Sequence, residues 1–185
     1  MNELARPALF LNLPPDSSGG FSCVAGEPGY LSLRALVRSA PAWSARDRDI
    51  FICENPNVVA IAADELGSRC SPLVCTEGMP AAAQRLLLRQ LATAGARLRY
   101  HGDFDWAGLR IGNLLMREFE VQPWRFGAPD YLDALTTAAG RRHPLSGAEV
   151  RAAWDTSLTA AMREHRVAIA EEAVAGLLTS DLDAG

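Results

Sequence analysis

The stretch Asp49-Ile50-Phe51-Ile52-Cys53-Glu54-Asn55-Pro56 constrains this chain more than any other. Five β-prone residues run almost directly into asparagine and proline. An asparagine side chain accepts from the unpaired N–H groups of a helix's first turn. Proline at the first helical position lacks only an N–H that would go unbonded there. A strand must therefore hand over to a helix within two residues, and Gly67 closes that helix. The pattern recurs. Pro72–Cys75 reads as a buried strand and Thr76-Glu77-Gly78 as a turn. Pro80 opens a helix with leucines at 86, 87, 88 and 91, ended by Gly95. Leu98–His101 is a third strand, Gly102–Asp105 a turn, and Trp106 to about Phe119 a third helix. Strands alternating with helices across short loops imply an α/β fold, a Rossmann-like, mostly parallel central sheet flanked by helices. Ligands of such sheets bind beyond the carboxyl ends of the strands.

The flanks are plainer. Ala8–Leu13 predicts a strand, stopped by Pro14-Pro15 and a Ser17–Gly20 loop. Tyr30–Val37 has helical spacing. Val121–Phe126 predicts a fourth strand, placed at an edge by Pro123. After Pro129 the pattern is helical to the end: Tyr131–Ala138, Asp155 to about Met162 and His165 to about Leu178, with a loop over Gly140–Gly147. The expected organisation is an N-terminal strand, loop and short helix over 1–48, an α/β core over 49–127, and a helical C-terminal extension of the same domain over 128–185.

Composition narrows the chemistry. The 185 residues are 49% hydrophobic and carry a formal net charge of −4, and all 18 basic residues are arginine. Lysine Schiff bases, Walker-type phosphate lysines and lysine general bases are excluded. The acidic balance argues against a freestanding nucleic-acid binder, though not against an enzyme that receives DNA from a basic partner. Cys23, Cys53, Cys70 and Cys75 lack the spacing of a zinc site and read as free thiols in a reducing cytoplasm. No apolar run is long enough to span a bilayer, and the N-terminus, with Glu3 ahead of Arg6, is unlike a signal peptide. No membrane association is expected.

The functional signal lies in the acids. Glu54 is the first residue after one strand, and Asp103 and Asp105 follow another, so all three belong to the same carboxyl edge. Asp-x-Asp on a turn can converge on a hard cation, and Mg²⁺ takes one or two carboxylates while keeping water. The plainer reading of Asp105 is an N-cap for the helix at Trp106. Glu77 stands at the end of a neighbouring strand, either as a fourth acid or as a turn residue. His101 is either a packed strand end or a site residue. Arg110, one turn into its helix, either contacts a phosphate or pairs with an acid. Arg34, Arg38, Arg46 and Arg48 form a cluster diluted by Asp47 and Asp49, and Glu171-Glu172 reads as a solvated helix face.

Two segments, Phe51–Pro56 and His101-Gly102-Asp103-Phe104-Asp105-Trp106-Ala107-Gly108, resemble a toprim domain. The Asp-x-Asp-x-x-Gly form is similar to the type IIB topoisomerase A subunit. The chain from about Leu31 to Leu178 resembles the toprim-like C-terminal domain of bacterial proteins encoded beside SMC-like ATPases, relatives of the Wadjet anti-plasmid nuclease subunit. Pro72–Gly78, Pro123-Trp124-Arg125, Trp154-Asp155 and Glu171-Glu172 share in the likeness, which gives Glu171-Glu172 a role behind the site as the alternative to a solvated face. The resemblance implies a Mg²⁺-dependent DNA endonuclease, with Mn²⁺ as a substitute ion. Asp103 and Asp105 would be metal ligands and Glu54 a general acid/base or a third ligand. Topoisomerase relatives attack with a tyrosine from a separate domain, which this chain has no room for, so water is the expected nucleophile. The expected partners are DNA, an SMC-like ATPase complex and a DNA-binding domain missing from this chain or separately encoded. A homodimer is left open. A non-catalytic metal-binding interaction module of the same complex is the alternative.

Overall fold

The computed structural model describes residues 6–15, 23–138 and 140–184. The expected Ser17–Gly20 loop lies outside them. The strands are β1 (Ala8–Leu11), β2 (Gly29–Leu31), β3 (Asp49–Cys53), β4 (Leu73–Cys75), β5 (Arg97–Tyr100), β6 (Gln122–Pro123), β7 (Arg142–Pro144) and β8 (Val167–Ile169). The helices are α1 (Leu33–Arg38), α2 (Pro56–Leu66), α3 (Ala82–Thr93), α4 (Trp106–Phe119), α5 (Ala128–Thr137), α6 (Thr156–His165) and α7 (Ala175–Leu182).

Six strands form the central sheet in the order β2-β1-β4-β3-β5-β6. β3 pairs in parallel with β4 and β5, and β5 with β6, whereas β1 runs antiparallel to both β2 and β4. The sheet is thus mostly parallel and flanked by helices. β3 is covered on both faces, which is why Ile50-Phe51-Ile52-Cys53 reads as an unbroken apolar run rather than an alternation. The pairings Cys53↔Cys75 and Ile52↔Tyr100 bring the ends of β3, β4 and β5 out at one edge of the sheet.

The local signals at the helix starts act as the chemistry demands. The Asn55 side chain accepts from Asn57 N–H with Pro56 in the first turn of α2, and Asp105 accepts from Gly108 N–H at the start of α4. The chain leaves α2 at Gly67 with φ +55. The run Tyr30–Val37 is not one helix. Ser32 caps α1 by accepting from Ala35 N–H, and the residues before it pair as β2 with β1. Val121–Phe126 shortens to β6, an edge strand as Pro123 requires.

The C-terminal part differs more from expectation. His165–Leu178 is not a helix throughout. α6 ends where Arg166 turns left-handed at φ 55, its N–H bonding Met162 O, and the β-branched pair Val167 and Ile169 then frames a strand. β8 pairs antiparallel with β7, which forms in the region expected to be loop. A short 3₁₀ turn, Glu171–Val174, leads into α7. Buried apolar side chains from Ala8 to Leu182 form one continuous cluster shared by all three expected segments.

Trp154 docks the C-terminal part onto the core. Its Nε1 donates to Phe126 O at 2.7 Å, its ring stacks on Phe126, and its outer ring edge lies over Gly112 of α4. A Cβ at Gly112 would stand 2.7 Å from the Trp154 ring. Gly112→Leu is expected to destabilise the fold by about 2 kcal/mol or more through overpacking, read as a lower Tm and earlier proteolysis around Trp154. A wild-type Tm in that variant contradicts this docking.

Candidate functional site

The carboxyl edge of β3 and β5 carries a group of acids held by their own backbone surroundings. Glu54 follows β3 directly. Its Oε2 accepts from the Tyr100 hydroxyl at 3.3 Å and lies 3.4 Å from Asp103 N. Asp103 Oδ1 accepts from Glu171 N–H at 2.7 Å. Asp105 Oδ1 is the N-cap acceptor for Gly108 N–H at 2.7 Å. The turn is possible only with glycine at its two ends. A Cβ at Gly108 would collide with the Asp103 carbonyl, and one at Gly102 with the Tyr100 hydroxyl.

Glu171 closes the group from the far end of the sequence. It is only 1% exposed, and its Oε2 accepts from Glu54 N–H at 2.9 Å and Asn55 N–H at 2.7 Å. Its Oε1 is buried and, among the described residues, without a hydrogen-bond partner. Beside it, Glu172 Oε2 accepts from Asn55 Nδ2 at 2.5 Å. Phe104, between the two aspartates, exchanges both backbone hydrogen bonds with Ile169 of β8, at 2.9 and 3.3 Å. The C-terminal segment is therefore built into the rim. The expectation of a solvated Glu171-Glu172 face is corrected for Glu171.

Charge makes this arrangement unusual. Among the described residues, no ion pair involves Glu54, Asp103, Asp105 or Glu171. Burial, with the charges of Asp103 and Asp105 added, pushes the Glu54 carboxyl up to about 7. Burial also pushes Asp103 up to about 6, aided by Asp105 and Glu172 and opposed by the Glu171 N–H. Glu171 is raised well above the usual carboxylate range, first by burial. Tyr100 is raised as well, so its hydroxyl stays protonated and donates. Among the described residues, no three His, Cys, Asp or Glu side chains converge as a ready cage for an ion. A site of one or two carboxylates completed by water is what Mg²⁺ takes, and Glu54 and Asp103 are the pair that could supply it.

Residues 29–182, from β2 to the last residue of α7, match the family described as Protein of unknown function C-terminus (DUF2399). The chain belongs to that family. The match takes in every acid of the rim, together with the β7–β8 ribbon that carries the chain back to it. No curated protein matches the chain.

The other sequence candidates in this family member separate from the rim. Glu77 sits on its turn at φ 51 but faces Arg6, whose Nε lies 3.6 Å from its carboxylate. His101 is buried, its Nδ1 3.0 Å from Trp124 O, among Phe104, Trp124 and Phe126. Burial pushes its imidazole down to about 4, so it is neutral, and no rim carboxylate is among the groups acting on it. It lines a cavity of about 20 Å³, room for one water, beneath Phe104 and against α7. Arg110 is exposed on α4, without an ion pair among the described residues.

Removing the Glu171 carboxylate leaves two backbone N–H groups facing a void. Glu171→Ala should lower stability by about 2–3 kcal/mol, while Glu171→Gln, which keeps an acceptor, should cost less than half as much in a denaturant titration. Equal losses in both would contradict the clasp. The pH dependence has a definite sign. Glu54 holds its proton more tightly folded than unfolded, so its contribution is full below about pH 4.5 and is lost as pH rises through about 7. His101 acts oppositely between about 4 and 6.5, so the informative quantity is the difference between variants. The Tm of Glu54→Gln should gain on wild type by about 5 °C between pH 5 and pH 8. A gap that shrinks over that range contradicts the assignment.

Proposed function

We propose that this chain is the catalytic module of a Mg²⁺-dependent, toprim-type DNA endonuclease that hydrolyses phosphodiester bonds. It would work with an SMC-like ATPase complex in defence against plasmids or other foreign DNA. The observation that carries the proposal is the pair Glu54 and Asp103. They are two crowded, largely buried carboxylates at the ends of adjacent parallel strands, raised toward neutrality and offset by no arginine. Such a pair is costly to the fold unless a cation or a proton shares it. With no lysine in the chain and no arginine at the pair, a metal ion or a proton is left to meet that need.

Mg²⁺, or Mn²⁺ in its place, would be held by Asp103 and Glu54 and completed by water, while Asp105 keeps its capping bond to Gly108 N–H. When bound it would polarise the phosphate and offset charge developing on the oxygens of the displacement. Glu54, with a carboxyl near 7, is placed to accept or return a proton at Oε1, since Oε2 takes the bonds from Tyr100 and Asp103. The nucleophile is water. Tyr100 and Tyr131 are buried, their hydroxyls bonded to Glu54 and to Val167 O. Tyr30 lies on β2, separated from β3 by two strands. Glu171 and Gly108 orient: the first fixes the Glu54-Asn55 backbone, the second lets the helix begin against Asp103.

The second reading is a metal-binding interaction module without catalysis. It is favoured by Asp105 being spent on a cap and Glu171 on backbone N–H groups, which leaves two open carboxylates. Cleavage of supercoiled plasmid, with the SMC-like complex supplied and Mg²⁺ or Mn²⁺ present, separates the two. Glu54→Gln and Asp103→Asn should each lower cleavage at least about 100-fold while retaining the fold. Full activity in either removes the nuclease reading, and metal binding by wild type without cleavage favours the second.

A further inference from the structure

The proposed reading leaves a physical problem. DNA is a dense line of negative charge, and the rim that is to receive it is acidic. Something beside the rim must hold the phosphates against that repulsion.

The β7–β8 ribbon is placed for this. Phe104, Ile169 and Arg142 lie in register across three neighbouring backbones, because Ile169 bridges Phe104 on one side and pairs with Arg142 on the other. Two strand spacings put the Arg142 backbone about 10 Å from the residue between Asp103 and Asp105. The ribbon is firmly seated: Phe104 and Ile169 exchange both backbone bonds, and the Tyr131 hydroxyl donates to Val167 O at 2.8 Å. Three exposed arginines stand on it. Arg141 precedes β7, Arg142 begins it, and Arg166 stands at the left-handed residue that starts the return into β8. All three are exposed, and among the described residues none has an ion-pair or side-chain hydrogen-bond partner. Elsewhere Arg69, Arg85, Arg97, Arg99, Arg125 and Arg163 each pair with a carboxylate.

The charge distribution agrees. Residues 140–169 hold five arginines and three acids, whereas the rest of the chain holds thirteen arginines and nineteen acids. This segment of positive excess is returned by the fold to the acids. Arg110 on α4 is likewise exposed and, among the described residues, without an ion pair, one turn beyond Asp105.

We propose that the β7–β8 ribbon, through Arg141, Arg142 and Arg166, is a phosphate-gripping arm that lays the DNA backbone across the carboxylate rim. This rests on the reading of the rim as a DNA site. It moves part of the DNA grip, expected from another domain, onto this chain. The contacts are to phosphate, so they hold register and carry no sequence preference.

The test is binding of a fluorescent DNA duplex to the full chain, measured by anisotropy across a salt series in EDTA, so that neither metal nor cleavage enters. Arg141→Ala/Arg142→Ala should weaken binding at least about tenfold at low salt and reduce the slope of log K against log salt by about 2. Arg141→Lys/Arg142→Lys should restore most of it. Arg46→Ala/Arg48→Ala removes the same charge at the opposite sheet edge, ahead of β3, and should change binding less than twofold. An unchanged affinity in the ribbon variant overturns the proposal and would reassign the arm to an acidic protein surface. Equal weakening in both double variants, or no duplex binding by wild type, also overturns it. Binding that behaves as expected in a protein complex that never cleaves sinks the nuclease reading and leaves the arm standing.

Discussion

Glu171 joins three parts of the chain that share no local sequence relationship. Its carboxylate accepts the N–H groups of Glu54 and Asn55, 117 and 116 positions earlier, while its own N–H is given to Asp103. A carboxylate buried this deeply is costly to keep unless backbone donors meet it. Glu54 and Asn55, the first residues past β3, precede α2, so neither N–H finds a partner inside that helix. The end of β3, the Asp-x-Asp turn and the C-terminal segment are thereby fixed as one unit, and each depends on the others for hydrogen-bond partners.

The electrostatics follow from that unit. Bringing Glu171 under the rim adds one more acid to a place that already holds Glu54, Asp103 and Asp105, with no arginine drawn in to balance them. The fold accepts carboxyl groups near neutrality as the consequence. Such strain is common where a site must bind a cation or exchange protons, and structural networks are usually neutralised instead. On the same molecule Asp49 is held below the ordinary range by Arg97 and Arg99, and Asp181 by Arg125. Asp49 and Asp181 thus have arginine partners, whereas among the described residues the rim acids have none.

What could be read from sequence divides by how local the physics is. Asn55-Pro56 announces a helix start because cap and proline act within one turn. Asp103–Gly108 announces its turn because Asp105 and Gly108 are cap and close-contact residue of the same motif. Glu54 could be placed at the rim because a residue directly after a parallel strand can only be at the carboxyl edge. The missed features are made by distant partners. Glu171 follows three residues of strand and looks like any acid near a helix start; its burial comes from docking against residues over a hundred positions away. The β7 strand, Arg142-His143-Pro144, is exposed throughout and has no alternation. It is a strand only because β8 pairs with it. The one local signal was the apolar spacing of Val167 and Ile169, which fits a strand as well as a helix over so short a run. His101 and Glu77 take the plainer of their two readings: His101 is a packed strand end enclosed by aromatic rings, and Glu77 is a turn residue that faces Arg6.

The central claim is that Glu54 and Asp103 form a cation site for which the rest of the rim is scaffolding. Calorimetric titration of the full chain with Mg²⁺ and with Mn²⁺ at pH 8 tests it most directly. The account predicts saturable binding of the ion to wild type and to Arg46→Ala/Arg48→Ala, and its loss in Asp103→Asn and Glu54→Gln, both still folded. Binding that is absent in wild type, or that persists unchanged in those two variants, would contradict it.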